Sequence, residues 1–333
     1  MYPSELSESE RYVAFLIQAL DRLRSEPSEA DDRLAAHSTI ARSAVSQISS
    51  NSGIALAFGV DRGQSLRHTA ARRTDISWYG FDSFSGYPAD GRVDWQREGA
   101  HATPQNLPDN VTLIAGFFAE TLPEFLIETD ASVAFVDICC DLYSSTADVF
   151  GALEAHSQLQ PGLPILFNQI VNCPDAIWNE MRALYEMLER TGLGFDWQGR
   201  RPQIWLAEET LDLVELGCFP DMKELRDENY HQRASLILTG DGLDYGPLDD
   251  PIYVERVVAA AQLYDRVSKL RIDRYQRAQK PHSRSVAKTS LLRQIDKAEG
   301  RDAVQVQRRG RNSEAIIHSN TAGAHGPWLH VDT

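Results

Sequence analysis

Three short stretches carry residue types that could do chemistry. FVDICCDLYSST, residues 135–146, joins an apolar run to Asp137, Cys139, Cys140 and Asp141, then to a tyrosine and three hydroxyls. A chain passing from apolar to acidic in this way suits the mouth of an active site, where carboxylates move protons or hold cations. Adjacent cysteines in a strand point to opposite faces, which argues against one soft-metal site built from both. AFGVDRGQS, residues 57–65, sets Phe58, Gly59, Gly63 and Ser65 around a tight strand-to-helix turn. Glycine lets a ligand approach the backbone, and free N–H groups at a helix start suit a carboxylate or phosphate; packing alone could also require these glycines. FDSFSGYP, residues 81–88, places Asp82 about twenty residues beyond that turn, where an acid accepts ribose hydroxyls. The alternative is an aspartate capping its own turn with Ser83 and Ser85. Together the two loops favour an adenosine-containing cofactor, and spacing does not decide between a nicotinamide and a sulfonium compound.

The elements that must position these groups alternate between two periods. Short apolar runs at 53–60, 77–84, 110–116, 132–138 and 163–169 read as strands, with a further pair at RPQIWLA (201–207) and RASLILTG (233–240). Helical spacing is predicted over 8–24, 29–49, 65–73, 146–156, 176–191 and 251–278. Such alternation indicates an α/β fold with a mostly parallel sheet and helices on both faces. Ligands bind at the carboxyl ends of such strands, so Gly59, Asp82, Gly116, Asp137, Asp141 and Asn168 are expected on one rim. The predicted organisation is an N-terminal helical cap (1–50), a cofactor-binding domain (51–242), a C-terminal helical extension (243–280) and a basic, flexible tail (281–333). The loop 89–109, ADGRVDWQREGAHATPQNLPD, is long and polar, as lids and binding loops are. Trp95 could cover an acceptor or pin the loop, and His101 reads as a candidate base or an exposed loop histidine.

Composition narrows the classes. Hydrophobic residues make up 42% and charged residues 24%, as in globular proteins, and no apolar run is long enough to span a bilayer. The opening MYPSELSESERY lacks the pattern of a signal peptide, and four cysteines at 139, 140, 173 and 218 show no disulfide spacing, so a reducing cytoplasm is expected. The net charge is −15, yet residues 269–311 hold 13 Lys/Arg against 4 Asp/Glu while the remainder holds 20 against 44. So acidic a body disfavours nucleic acid. The helical N-terminus and the charged arm make a homodimer plausible.

In order, AFGVDRGQS, WYGFDSFSGYP, LPDNVTLIAGFFAETLP, VAFVDICCDLYSST and LQPGLPILFNQ resemble the macrocin O-methyltransferase family across about residues 50–210. These are class I methyltransferases that use S-adenosylmethionine to modify sugar or other natural-product hydroxyls. The resemblance implies a seven-stranded Rossmann-like methyltransferase sheet. It implies cofactor contacts from Phe58, Gly59, Gly63, Ser65, Asp82 and Ser83, with Gly116 and Phe117 near adenine and Asp137 close by. The family commonly holds magnesium on rim carboxylates, in motifs like HIDxDLYxST and FDDY. Here Cys139, Asn168 and Gln169 stand at the ligand positions, and Ala57 replaces a frequent glutamate.

Magnesium wants hard oxygen ligands; thiols are soft and neutral amides add little charge. A family-type magnesium site is therefore not expected, although Asp137 offers one displaced carboxylate on the same face as Cys139 and Asp141 if the strand stays regular. A zinc site from Cys139, Cys173 and a histidine has no supporting spacing. Without a metal, Asp141 is the expected base, followed by Asp137 and His101, with Tyr143 either packing or orienting Asp141. Alternatively, the acceptor is a more easily activated amine, thiol or phenol. The competing expectation is a non-catalytic relative that binds the cofactor or serves a partner protein.

Overall fold

The computed structural model describes residues 2–25, 33–49, 53–88, 102–173, 175–198, 204–217, 232–278, 306–309 and 314–317. Trp95, His101 and Cys218 lie outside the described residues.

Seven strands form the main sheet: β1 (Ile54–Phe58), β2 (Ser77–Asp82), β3 (Val111–Ala115), β4 (Val133–Ile138), β5 (Pro164–Phe167), β6 (Gly194–Gln198) and β7 (Ala234–Thr239), in the order β3-β2-β1-β4-β5-β7-β6. The first five strands run parallel, and β7 is antiparallel to both β5 and β6. This is an α/β, Rossmann-like arrangement with a mostly parallel sheet. Every residue of β1, IALAF, is buried, as a parallel strand covered on both faces requires. Ile54, Leu56 and Phe58 enter one core and Ala55 and Ala57 the other.

The larger core joins the sheet to α1 (Glu8–Ser25), α4 (Phe118–Glu128), α5 (Tyr143–Ala155), α6 (Glu180–Thr191), α7 (Ala207–Leu216) and α8 (Pro251–Ala278). The smaller core joins the opposite face to α2 (Arg33–Ser46) and α3 (Gln64–Ala70). The helices read as an N-terminal cap thus separate onto the two faces. α1 packs lengthwise on α8, where Arg256 bridges Asp21 of α1 and Glu208 of α7, both at 2.5 Å. Further along α8, Arg271 pairs with Asp175 at 2.8 Å and lies over the Trp178 ring, which also stacks on Tyr264. Trp178 is therefore engaged with the C-terminal helix.

Three local readings change. Where a strand was expected over RPQIWLA, Ile204–Leu206 is irregular and α7 begins at Ala207, while residues 201–203 lie outside the described residues. The Glu209 carboxylate accepts the Leu206 N–H at 2.7 Å, closing a helix start. The strand beside β7 is instead GFDWQ, whose Phe195 and Trp197 face the core while Asp196 faces out. The periodic stretch 176–191 is broken at Asn179 into a 3-10 turn, Ala176–Trp178, and then α6. Within the tail, β8 (Val306–Arg309) and β9 (Glu314–Ile317) pair as an antiparallel ribbon, where no element was expected.

Aromatic packing anchors the working edge from below. Phe58 meets Phe81 at 5.1 Å and Phe118 at 5.3 Å, and Phe81 meets Phe125 at 5.4 Å. Each such pair contributes about 0.5–1.5 kcal/mol beyond its area. These contacts lock the ends of β1 and β2 to α4 and hold the loops above them in place.

Candidate functional site

The strand order reverses between β1 and β4, so a crevice belongs at their carboxyl ends. Three main-chain bonds continue the ladder past the strands: Gly59 N–H to Phe81 O, Cys139 N–H to Phe58 O and Asn168 N–H to Ile138 O, at 2.8–3.0 Å. Gly59 has φ of +84°, and a Cβ there would lie 1.9 Å from the Cys139 carbonyl oxygen. Only glycine lets the loops after β1 and β4 cross this closely. Gly63, at φ +76°, precedes α3.

Asp82 ties the glycine turn to β2. One carboxylate oxygen accepts the N–H groups of Val60 and Asp61 at 2.8 and 2.9 Å, and the other accepts Phe84 N–H at 2.8 Å. Asp82 thus caps its own turn, the alternative reading of this residue, and also organises the loop beside it. Ser83 donates to Gly86 O at 2.5 Å, so its hydroxyl serves the turn. The Phe58 side chain lies wholly in the core, leaving only its main chain near the rim. Gly116 N–H donates to Asp82 O, and Phe117 is the residue from which α4 starts.

Asp137, 3% exposed, stands opposite Ala57 in the β1–β4 register. Asn168 donates to one of its oxygens at 2.7 Å, and the Ser65 hydroxyl lies 3.4 Å from the other. Arg233, just before β7 and 8% exposed, donates to the same Ser65 hydroxyl at 3.3 Å. Burial pushes the Asp137 carboxyl upward and the Arg233 guanidinium downward, and each charge opposes the other's shift. Arg233 was absent from the sequence reading because it lies 168 residues from Ser65.

Strand β4 ends at Ile138, so the alternation that put Asp137, Cys139 and Asp141 on one face does not extend to Asp141. Asp141 adopts a left-handed φ of +59° in a turn closed by Leu142 N–H to Cys140 O, a conformation aspartate tolerates better than most residues. Its carboxylate accepts the Tyr87 hydroxyl at 2.5 Å. Tyr143 does not orient it: that hydroxyl donates to Glu186 at 2.5 Å. Sequence gave no sign of the Tyr87 partnership, although Tyr87 lies in the FDSFSGYP motif.

Glu180, the first residue of α6, is 1% exposed, and its Oε1 has no hydrogen-bond partner among the described residues. Burial, then the charge of nearby Asp141, push its carboxyl well above the ordinary glutamate range, partly offset by bonds from the Glu180 and Asp141 N–H groups. Burial also raises the Cys139, Cys140 and Cys173 thiols, with added repulsion from neighbouring carboxylates. These cysteines are neutral thiols.

The rim residues do not match a magnesium cage. Asp137 turns to Asn168 and Ser65 while Asp141 turns to Tyr87, and the intervening position is a thiol. No three His, Cys, Asp or Glu side chains converge as metal donors among the described residues. No helix among them is long and apolar enough to cross a membrane.

No protein-family model matches the chain, and no curated protein matches it. Among solved structures it is similar to CalS11, a calicheamicin methyltransferase, at 20% identity over 60% of this chain and 92% of that one, with a TM-score of 0.42. An O-methyltransferase from Bacillus cereus in complex with SAH shows 13% identity over 70% and 91%, with a TM-score of 0.36. A precorrin-6y C5,15-methyltransferase from Geobacter metallireducens shows 12% over 60% and 85%, with a TM-score of 0.32. The strand order itself makes this chain an α/β protein with a Rossmann-like sheet.

Proposed function

We propose that this protein is an S-adenosylmethionine-dependent methyltransferase acting on a small-molecule acceptor, natural-product or sugar-like, without the magnesium site of the macrocin O-methyltransferases it resembles. One observation carries the reading: the Asp82-tied glycine turn and the acids Asp137 and Asp141 meet where the strand order reverses between β1 and β4. The residues fit the cofactor. Asp82 uses three of a carboxylate's roughly four acceptor sites on backbone N–H groups, which leaves room for a ribose hydroxyl. Gly59 is partly exposed, so its main chain remains approachable.

When bound, the cofactor supplies an electrophilic methyl group on a sulfonium, and the protein must hold donor and acceptor close and in line. Asp141 takes the acceptor's proton, with its rotamer fixed by the Tyr87 hydroxyl. The residue is only 6% exposed, which limits competition from water. Gly116 and Phe117 flank the adenosine side, and the serines at 65 and 83 line the turn.

Calorimetric titration of metal-free protein with S-adenosylmethionine, repeated with excess magnesium, tests the cofactor and the metal together. Saturable binding indifferent to magnesium is expected. Binding strengthened by magnesium would mean that Asp137 and Asp141 rebuild a cation site. Turnover on a panel of amines, phenols and sugars then tests the base: Asp141→Asn is expected to lose about 10²- to 10⁴-fold in rate with cofactor binding kept. The second reading, a non-catalytic cofactor-binding relative, is favoured by the tight burial of Asp141. It prevails if the cofactor binds and no acceptor is ever methylated.

A further inference from the structure

Little of the proposed base can be reached from outside. Asp141 is 6% exposed, its Oδ1 is buried, and its Oδ2 accepts the Tyr87 hydroxyl at 2.5 Å. The titratable groups near it, Glu180 of α6, Cys173 after β5 and Cys140 of its own turn, are buried as well. Cys139 is partly exposed, but a neutral thiol is a weak acceptor. Tyr87 differs from all of these: it is half-buried and carries a hydroxyl. Tyr87 follows β2 and Asp141 follows β4, and the sheet order puts those strands on either side of β1. Their bond therefore spans the carboxyl end of β1, where the crevice belongs. A hydroxyl that gives its proton to a carboxylate keeps its two lone pairs, so it can accept from a second hydroxyl while it donates to the first partner.

We propose that Tyr87 is a catalytic residue that meets a hydroxyl acceptor and relays its proton to Asp141. This rests on the methyltransferase reading and deepens it: Asp141 still ends with the proton, and Tyr87 is the group that the acceptor touches. The acceptor O–H bond breaks with its electron pair left on oxygen, and the proton passes to the Tyr87 oxygen. The Tyr87 proton passes at the same time to Asp141 Oδ2, so Tyr87 ends as it began and Asp141 ends neutral. The acceptor oxygen takes the methyl group, and the electron pair of the broken carbon–sulfur bond stays on sulfur. Such a relay gives the acceptor's proton a destination without a metal, and it commits the site to hydroxyl acceptors.

The test uses the full chain, S-adenosylmethionine and a panel of sugars, phenols and amines, with Tyr87→Phe, Asp141→Asn and the double variant. Tyr87→Phe is expected to lower kcat on hydroxyl acceptors by about 10²-fold or more and to leave the affinity for S-adenosylhomocysteine, which reports folding, unchanged. The double variant should be no slower than the slower single variant, because both residues serve one relay. A readout without turnover is calorimetry of the same acceptor on protein loaded with S-adenosylhomocysteine. There Tyr87→Phe should bind the acceptor about 2- to 10-fold more weakly, as loss of one hydrogen bond requires. A double variant slower than either single by about tenfold or more would show the two residues acting separately, and it overturns the relay. So does Tyr87→Phe with unchanged acceptor affinity, or with kcat within about threefold of wild type. Methylation of amines alone overturns the relay while the methyltransferase reading stands; cofactor binding with no acceptor methylated overturns both. If Tyr87→Phe fails to fold, the wild type decides by its rate in mixtures of H2O and D2O. Two protons in flight give a curved dependence, and a straight line, the mark of one proton, overturns the relay.

Discussion

At the carboxyl ends of β1 and β2 the central carboxylate, Asp82, is met by three backbone N–H groups from its own loop and the one beside it. At the ends of β4 and β5, Asp137 and Asp141 are met by side chains from elsewhere: Asn168, Ser65 and Tyr87, with Arg233 and Glu180 as charged or chargeable neighbours. The first half is built from loop geometry and the second from buried side-chain chemistry. Backbone donors are fixed once the turn forms, so the first half suits a constant recognition task such as holding a nucleoside. Side-chain networks in a low-dielectric setting respond to every substitution, which would suit specificity and proton transfer in the proposed reaction.

Gly59 is where the halves touch, and Gly59→Ala is the strongest way to break the arrangement. The new methyl group would meet the Cys139 carbonyl at 1.9 Å with the backbone held at φ +84°. A loss of about 4 kcal/mol or more in denaturant unfolding is expected, and a loss under about 1 kcal/mol would show that the crossing is not fixed. Asp82→Ala comes next. It leaves three N–H groups to water or to nothing, with an expected loss of about 2–3 kcal/mol and of nucleoside affinity alike. Stability lost without affinity would make Asp82 a turn residue only.

The smallest effect separates the halves by pH. Burial and the charge of Asp141 hold the folded Glu180 carboxyl well above the ordinary glutamate value at which the unfolded chain releases its proton. Its contribution is therefore full below that value and declines as pH rises toward the higher folded one. Glu180→Gln stays neutral throughout. Urea melts between about pH 4 and about pH 8 should show the wild type losing about 1 kcal/mol or more relative to the variant. Parallel curves would mean that Glu180 is not held protonated.

Much of the first half was legible in the sequence, because its signals are local. Glycines at a strand end and an acid at the next strand end locate Gly59, Gly63 and Asp82 without any knowledge of distant contacts. The apolar runs that became β1 to β5 and β7 were equally plain. GFDWQ was passed over in favour of RPQIWLA because both are short and mixed in character. Pairing with β7 and the helix start at Leu206 decided between them. His101 and Trp95 remain sequence readings that fall outside the described residues.

The sequence by itself determined the alternation of strands and helices, the acids at strand ends and the replacement of rim carboxylates by Cys139, Asn168 and Gln169. All of these follow from residue type and short spacing. Tertiary structure alone decided that Tyr87, not Tyr143, holds Asp141, that Arg233 lies beside Asp137, and that Glu180 is buried next to Asp141. Those pairings span 39 to 96 residues. They are set by the left-handed turn at Asp141, by the antiparallel entry of β7 and by the break before α6. A side chain's partner at such range depends on where the sheet and its helices place it, and no local pattern of residues encodes that placement.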